Sequence, residues 1–130
     1  MKSILSPTAP APGGPYAHAV EAGALVFCSG QTAVDPATRT LIDGDVAAQT
    51  RQALDNVARI LDAAGLTLRD VAKTTVYLRN MGDFAAMNAA YADVFGAHRP
   101  ARTTIGVAEL PGGAQIEIEC IAVRSGLMPA

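Results

Sequence analysis

The sequence predicts an α+β fold in which two helices pack on one face of a mixed sheet of about six strands. Three observations lead there. Apolar residues recur at helical spacing in two stretches, one between Asp45 and Gly65 and one between Asp83 and Gly96. The other apolar residues fall in short β-branched or alternating runs. The elements follow in the order strand, strand, helix, strand, helix, strand, strand, so the helices cover one sheet face and the other needs a different cover.

Taken in order, residues 6–15 hold four prolines and two glycines, and the chain enters the fold as an ordered loop. One further strand is expected near residues 17–22. Leu25-Val26-Phe27-Cys28 reads as a buried strand that ends near Gly30. Asp35-Pro36 opens a turn, from which the segment around Thr40 to Ile42 returns as a hairpin partner. Asp45 is the N-cap of a helix whose apolar face runs through Leu54, Val57, Leu61 and Ala64 until Gly65 stops it. Val71 to Leu78 is an alternating strand with Thr74, Val76 and Leu78 on one face. Asp83 caps a second helix with Phe84, Met87, Asn88, Tyr91, Val94 and Phe95 on one stripe, ended by Gly96. Arg102 to Glu109 and Gln115 to Val123 read as two strands separated by Leu110-Pro111-Gly112-Gly113.

The last strand carries information about the uncovered face. Side chains alternate along a strand, so Ile116, Ile118, Cys120 and Ala122 point one way and Gln115, Glu117, Glu119, Ile121 and Val123 the other. The second row is too apolar at one end for a solvated face and too charged at the other for a core. An oligomer interface with a polar pocket at its edge accounts for both halves.

With 130 residues, half of them hydrophobic, the chain suits a single domain, 1–130, with a core that needs no metal or disulfide. The net charge is -2, from ten basic and twelve acidic residues spread along the chain. Nucleic acid is not expected as a partner without a clustered basic face, and no membrane association is indicated. The first eleven residues lack the apolar run of a secretory signal. Cys28 and Cys120 each sit in an apolar strand and read as reduced, packed thiols, which points to the cytosol.

Metal chemistry has little to build on. The histidines, His18 and His98, stand eighty residues apart with no ligand at metal spacing, and both read as surface or loop residues. The same shortage removes a serine or cysteine triad. No Walker or Rossmann phosphate loop occurs, and no cofactor is implied. What remains lies at element ends: Arg102 at the start of a strand, Glu117 and Glu119 on one strand face, Tyr16 after Gly14-Pro15, Ser29-Gly30-Gln31 at a strand end and Asn88 on an apolar helix stripe. Taken singly these read as a surface arginine, solvated glutamates, an aromatic plug, a bend and a buried amide bonded to backbone.

Taken together they read differently. Gly14-Pro15-Tyr16, Ser29-Gly30-Gln31, Pro100-Ala101-Arg102 with Val107 and Leu110-Pro111, and Ile116-Glu117-Ile118-Glu119 closely resemble the RidA/YjgF family in order and spacing. Leu54-Asp55-Asn56-Val57, Ala63-Ala64-Gly65-Leu66 and Lys73-Thr74-Thr75-Val76 extend the resemblance over residues 13–124. No single motif is specific, but the ordered set is. The resemblance implies a chorismate-mutase-like homotrimer with active sites between subunits, and hydrolysis of 2-imino acids, such as the imine of 2-aminoacrylate, to 2-keto acids and ammonia. It makes Arg102 the carboxylate anchor and Glu117 the acid that directs water. Tyr16, Ser29 and Gly30 then line the pocket, and Asn88 is a weaker transfer. Some family members carry cysteine two residues after the arginine. Thr104 stands there in this chain and removes any mechanism that needs a thiol, leaving a residue that shapes the pocket or bonds water.

The chemistry gives these residue types their reasons. A small 2-imino acid offers a carboxylate and one electrophilic carbon, and a planar guanidinium grips the carboxylate at two points. Water must lose a proton as it attacks, which suits a glutamate whose pKa is raised by partial burial. The Tyr16 hydroxyl and the Gly30 N–H are candidate donors to substrate or water. Three other readings compete: deamination of a larger enamine such as 2-aminomuconate, a ligand-sensing or chaperone-like module for small carboxylates, and an endoribonuclease. An anion beside the arginine argues against a pure carboxylate receptor, and the acidic composition without paired histidines argues against the ribonuclease.

Overall fold

The computed structural model describes residues 1–125, so positions 126–130 of the expected 1–130 domain lie outside the described residues. The elements are β1 (Lys2–Ile4), β2 (Ala19–Ala22), β3 (Leu25–Gln31), α1 (Val46–Ala63), β4 (Val71–Leu78), α2 (Phe84–Phe95), β5 (Ala101–Gly106) and β6 (Ile116–Val123). The strands form one six-stranded sheet in the order β1-β2-β3-β6-β4-β5. The β4–β5 pair, joined through α2, is parallel; all other pairs are antiparallel. This is the mixed sheet with two helices that the sequence predicts.

Helix α1 is delimited by its ends. Asp45 is extended and its side chain accepts from the Ala48 N–H at 3.0 Å. At the other end Gly65 has φ +74°, and the Gly65 and Leu66 N–H groups return to the Asp62 and Leu61 carbonyls, each at 2.9 Å. This double closure satisfies two carbonyls that a helix end leaves free, and it needs a left-handed residue at position 65. Leu54, Val57, Ile60 and Leu61 are then buried against Val26, Val76, Ile116 and Ile118 of the sheet.

Helix α2 departs from the expected stripe. Met87, Ala90, Tyr91 and Phe95 are buried, but Phe84 is exposed and Asn88 and Val94 are half-buried. The stripe narrows because α2 rests on α1 and over the edge strand β5. The Asp83 side chain makes no cap hydrogen bond; a 3₁₀ turn over Met81–Asp83 precedes α2, and Asn80 caps that turn instead.

Strand β3 is also half open. Val26 and Cys28 are buried, whereas Leu25 and Phe27 are 39% and 42% exposed, which corrects the expected buried strand. Leu25 and Phe27 share the face that the helices leave bare, with Ile121 and Val123 beside them on β6. The hairpin around Thr40 reduces to one bridge, Val34 to Leu41. The strand expected over Arg102 to Glu109 stops at Gly106.

His18 lies in the loop before β2, as expected of a loop residue, but is buried rather than on the surface, at 2% exposure. Its Nδ1 accepts from the Ser6 N–H at 2.8 Å, so Nε2 carries the proton and donates to the Pro10 carbonyl at 2.7 Å. The imidazole thus pins the proline-rich entry loop to β2. Cys28 and Cys120 face each other across β3 and β6 as free, buried thiols. The adjacent Cys28 thiol and burial push the Cys120 thiol far above its ordinary range.

Asn56, fully buried on α1, fixes the wall that continues from β3. Its amide donates to the Thr32 carbonyl at 3.1 Å and the Val34 carbonyl at 2.8 Å, while its oxygen accepts from Gln52 at 3.0 Å. Asn56→Ala would strand two carbonyls and is expected to cost roughly 2–4 kcal/mol in urea denaturation. A loss below about 0.5 kcal/mol would mean that water replaces the amide.

Candidate functional site

Glu117 leaves β6 on the bare face, since its neighbours Ile116 and Ile118 are fully buried on the helix side. Across β4 it pairs with Tyr77. Across β3 it meets an irregularity between Cys28 and Gln31, where Ser29 and Gly30 lie. A Cβ at Gly30 would stand 2.1 Å from Glu117 Oε2 and 2.9 Å from its Cδ. The carboxyl therefore lies on the glycine backbone in space that any side chain would occupy.

The walls around this carboxyl are held by local bonds. The Ser29 hydroxyl donates to the Ala17 carbonyl at 2.7 Å and its N–H to the His18 carbonyl at 2.9 Å. The Tyr16 hydroxyl accepts from the Gly13 N–H at 3.0 Å, and the Tyr16 N–H donates to the Gly14 carbonyl at 2.9 Å, which folds the glycines into a turn. The result is a cavity of about 660 Å³ lined by the loop 10–13, Tyr16, Ser29, Gly30, Gln31, Thr32, Val34, Arg39, Pro111 and Glu117.

Arg102 is not in that cavity. It lies on β5 opposite Thr74, whose hydroxyl bonds the Tyr91 hydroxyl of α2 at 2.7 Å, so Arg102 occupies the helix-covered face. The guanidinium donates to Asn88 Oδ1 at 2.7 Å. It also sits 4.8 Å from the ring centre of Tyr91 and 5.7 Å from that of Phe84, cation–π contacts that restrain its plane. Thr104 follows on the same face, and its buried hydroxyl has no hydrogen-bond partner among the described residues. A shallower cavity of about 440 Å³ is lined by Asn88, Tyr91, Ala92, Arg99, Pro100 and Arg102. The predicted site residues thus fall into two groups on opposite faces of one sheet: Tyr16, Ser29, Gly30 and Glu117, and separately Arg102, Asn88 and Thr104.

Residues 6–124 match the family model described as endoribonuclease L-PSP. The chain belongs to this family, the RidA/YjgF family. Among the relatives of this RidA-family chain is a RutC family protein of Pyrococcus horikoshii, 49% identical over 125 residues, which cover 95% of this chain and 99% of that one. A Salmonella typhimurium protein named 2-iminobutanoate/2-iminopropanoate deaminase is 48% identical over 126 residues, 95% of this chain and 98% of that one. The crystal structure of Escherichia coli TdcF with bound serine superposes with a TM-score of 0.91 at 43% identity, covering 96% of this chain and 100% of that one.

Two residues beside Glu117 or its cavity carry no functional mark in the sequence. Tyr77 hydrogen-bonds through its hydroxyl to Glu119, and the alternation of β4 already assigns it to the face opposite Thr74, Val76 and Leu78. Arg39 reaches the Glu117 cavity from the turn after Asp35-Pro36, and no periodic signal marks it. The bond to Glu119, then burial, push the Tyr77 phenol up to about 12, so it stays a donor over the physiological range. Glu117 is itself raised above the ordinary carboxylate range, first by burial and then by the charge of Glu119.

A titration separates those two causes. Glu119→Gln removes the neighbouring charge but not the burial, so the Glu117 carboxyl signal followed by ¹³C NMR is expected to titrate lower than in the parent yet still above an exposed glutamate. An unchanged midpoint would show that the two carboxyls do not sense each other.

Proposed function

We propose that this chain hydrolyses 2-imino acids to 2-keto acids and ammonia, with sites shared between neighbouring copies in a homotrimer. The observation that carries the reading is Glu117, a half-buried carboxyl of raised pKa resting on Gly30 in a cavity with Tyr16 and Ser29. A carboxyl poised closer to neutrality accepts a proton from water more readily than an exposed one, the requirement for attack on an iminium carbon. The names of relatives 48% identical support the reaction class, and the serine bound to TdcF supports a ligand the size of a small amino acid.

In this reading Arg102 takes the substrate carboxylate. Its guanidinium is oriented beforehand by Asn88, Tyr91 and Phe84, which reduces the freedom lost on binding. The Thr104 hydroxyl is closed off and unpartnered among the described residues, so Thr104 serves as wall beside Arg102 on the same face rather than as a donor. Glu117 takes a proton as water adds to the iminium carbon and passes it to the nitrogen; ammonia then leaves as Glu117 accepts the remaining hydroxyl proton and the carbonyl forms. The Tyr16 hydroxyl donates to substrate or water. Because Arg102 and Glu117 stand on opposite faces of their sheet, the two act on one substrate only when they come from different copies. The bare face with exposed Leu25, Phe27 and Ile105 supports burial in such an assembly.

The two facing free thiols support a reducing compartment, the cytosol. The family's endoribonuclease description finds no support in the histidines. Both His18 nitrogens are engaged with backbone, and His98 bonds the Val71 carbonyl at 2.7 Å.

The test is keto acid release from 2-iminopropanoate generated in situ by an amino-acid oxidase, with semicarbazide trapping the free imine. Wild type is expected to accelerate release, and Arg102→Ala to lower kcat/KM by roughly 10²-fold or more while keeping the assembly. No acceleration across several amino-acid precursors would reject the reading. Gly30→Ala is expected to cost a similar factor of about 10² with little change in Tm, because the new methyl displaces only the mobile end of Glu117. Retained activity in Gly30→Ala would show that the Glu117 position does not matter.

A further inference from the structure

One guanidinium in the Glu117 cavity has no part in the reaction above. Arg39 lines that cavity together with Tyr16, Ser29, Gly30 and Glu117. It closes a turn in which its N–H donates to the Asp35 carbonyl and the Asp35 N–H donates to the Thr40 carbonyl, both at 2.8 Å. Asp35 Oδ1 also accepts from the Ala37 N–H at 2.8 Å. The turn holds Arg39 at φ +63°, and no other non-glycine among the described residues has a positive φ. That region penalises any residue with a Cβ and suits glycine.

The turn alone therefore gives no reason for arginine, since glycine would close it with less strain. An internal ion pair gives none either. Arg51, Arg59 and Arg124 each pair with a carboxylate, whereas the Arg39 side chain has no ion pair or hydrogen bond among the described residues. A cation held at a strained backbone position, without an internal partner, on the wall of a cavity is accounted for by what enters the cavity. The cavity, about 660 Å³, leaves room beyond a methyl side chain. An anionic side chain entering it would meet the field of Glu117 and Glu119, and Arg39 is the group that offsets it.

We propose that Arg39 is a specificity-determining residue that selects imino acids bearing a second carboxylate, of which the imines of aspartate and glutamate are the simplest. The inference rests on the deaminase reading and deepens it: Arg102 holds the carboxylate next to the imine, and Arg39 pairs with the one on the side chain. Arg39 is exposed, so water and salt screen the pair, and its effect is of the order of tenfold rather than a thousandfold.

The experiment compares kcat/KM for the imines of aspartate and glutamate with that for 2-iminopropanoate, in wild type, Arg39→Gly and Arg39→Lys, at low and high salt. Glycine suits the φ of the turn, so Arg39→Gly keeps the fold, checked by its Tm. The ratio of dicarboxylic to monocarboxylic turnover is expected to fall about tenfold in Arg39→Gly, to be intermediate in Arg39→Lys and to shrink with salt in wild type. An unchanged ratio, or equal losses on all three imines, overturns the inference and leaves the deaminase reading standing. Failure of wild type on every imine overturns both.

Discussion

Side chains alternate across a β-sheet, and that constraint decides how this protein can work. Thr74 and Arg102 lie side by side on β4 and β5 and face the helices, whereas Tyr77 and Glu117 lie side by side on β4 and β6 and face away. No rotamer change carries a guanidinium through a hydrogen-bonded sheet to the other side. Within one chain Arg102 and Glu117 therefore cannot reach the same small molecule, and in the proposed reading each site takes the carboxylate anchor from one copy and the proton acceptor from another. The same proposed assembly would bury the exposed apolar residues on the Glu117 face against a neighbour.

Each half is prepared by ordinary packing. On the helix side, buried Tyr91 is fixed by the Thr74 hydroxyl and offers its ring face to Arg102, while Asn88, one turn earlier on α2, supplies the acceptor. On the bare side, Gly30 provides the volume in which the Glu117 carboxyl rests. Asn56 holds the carbonyls of Thr32 and Val34 in the cavity wall. His18 ties the proline-rich loop that completes it. The core beneath the helices thus fixes both surfaces without belonging to either site.

Much of this was legible in the sequence where a local rule was strong. Asp45 and Gly65 delimit α1 because a cap and a left-handed closure each need a particular residue, and β4 was read to its ends because its alternation is regular. Strand β1 leaves no signal in the sequence, since three residues are too few to show a period. The exposure of Leu25 and Phe27 is not legible, because four consecutive apolar residues do not reveal that one face of the sheet is open. The burial of His18 leaves no mark in the sequence, its partners being backbone groups of a loop that carries no pattern. For the site, the ordered motifs named the residues but not their division between faces. That division follows from the register of β5 on β4, which no single strand records. Arg39 was invisible because a left-handed arginine looks like any loop arginine until its φ is known.

The central claim is that Arg102 of one copy and Glu117 of another serve the same substrate, and subunit complementation tests it most directly. Arg102→Ala and Glu117→Gln proteins, each inactive alone, would be unfolded, mixed in equal amounts, refolded together and assayed for keto acid release. With sites shared between neighbours, random mixing restores both residues at about a quarter of the sites, so activity should return to about a quarter of wild type. If the mixed protein assembles into hybrids and stays as inactive as its parents, the two residues belong to one copy or to different reactions, and the account is wrong.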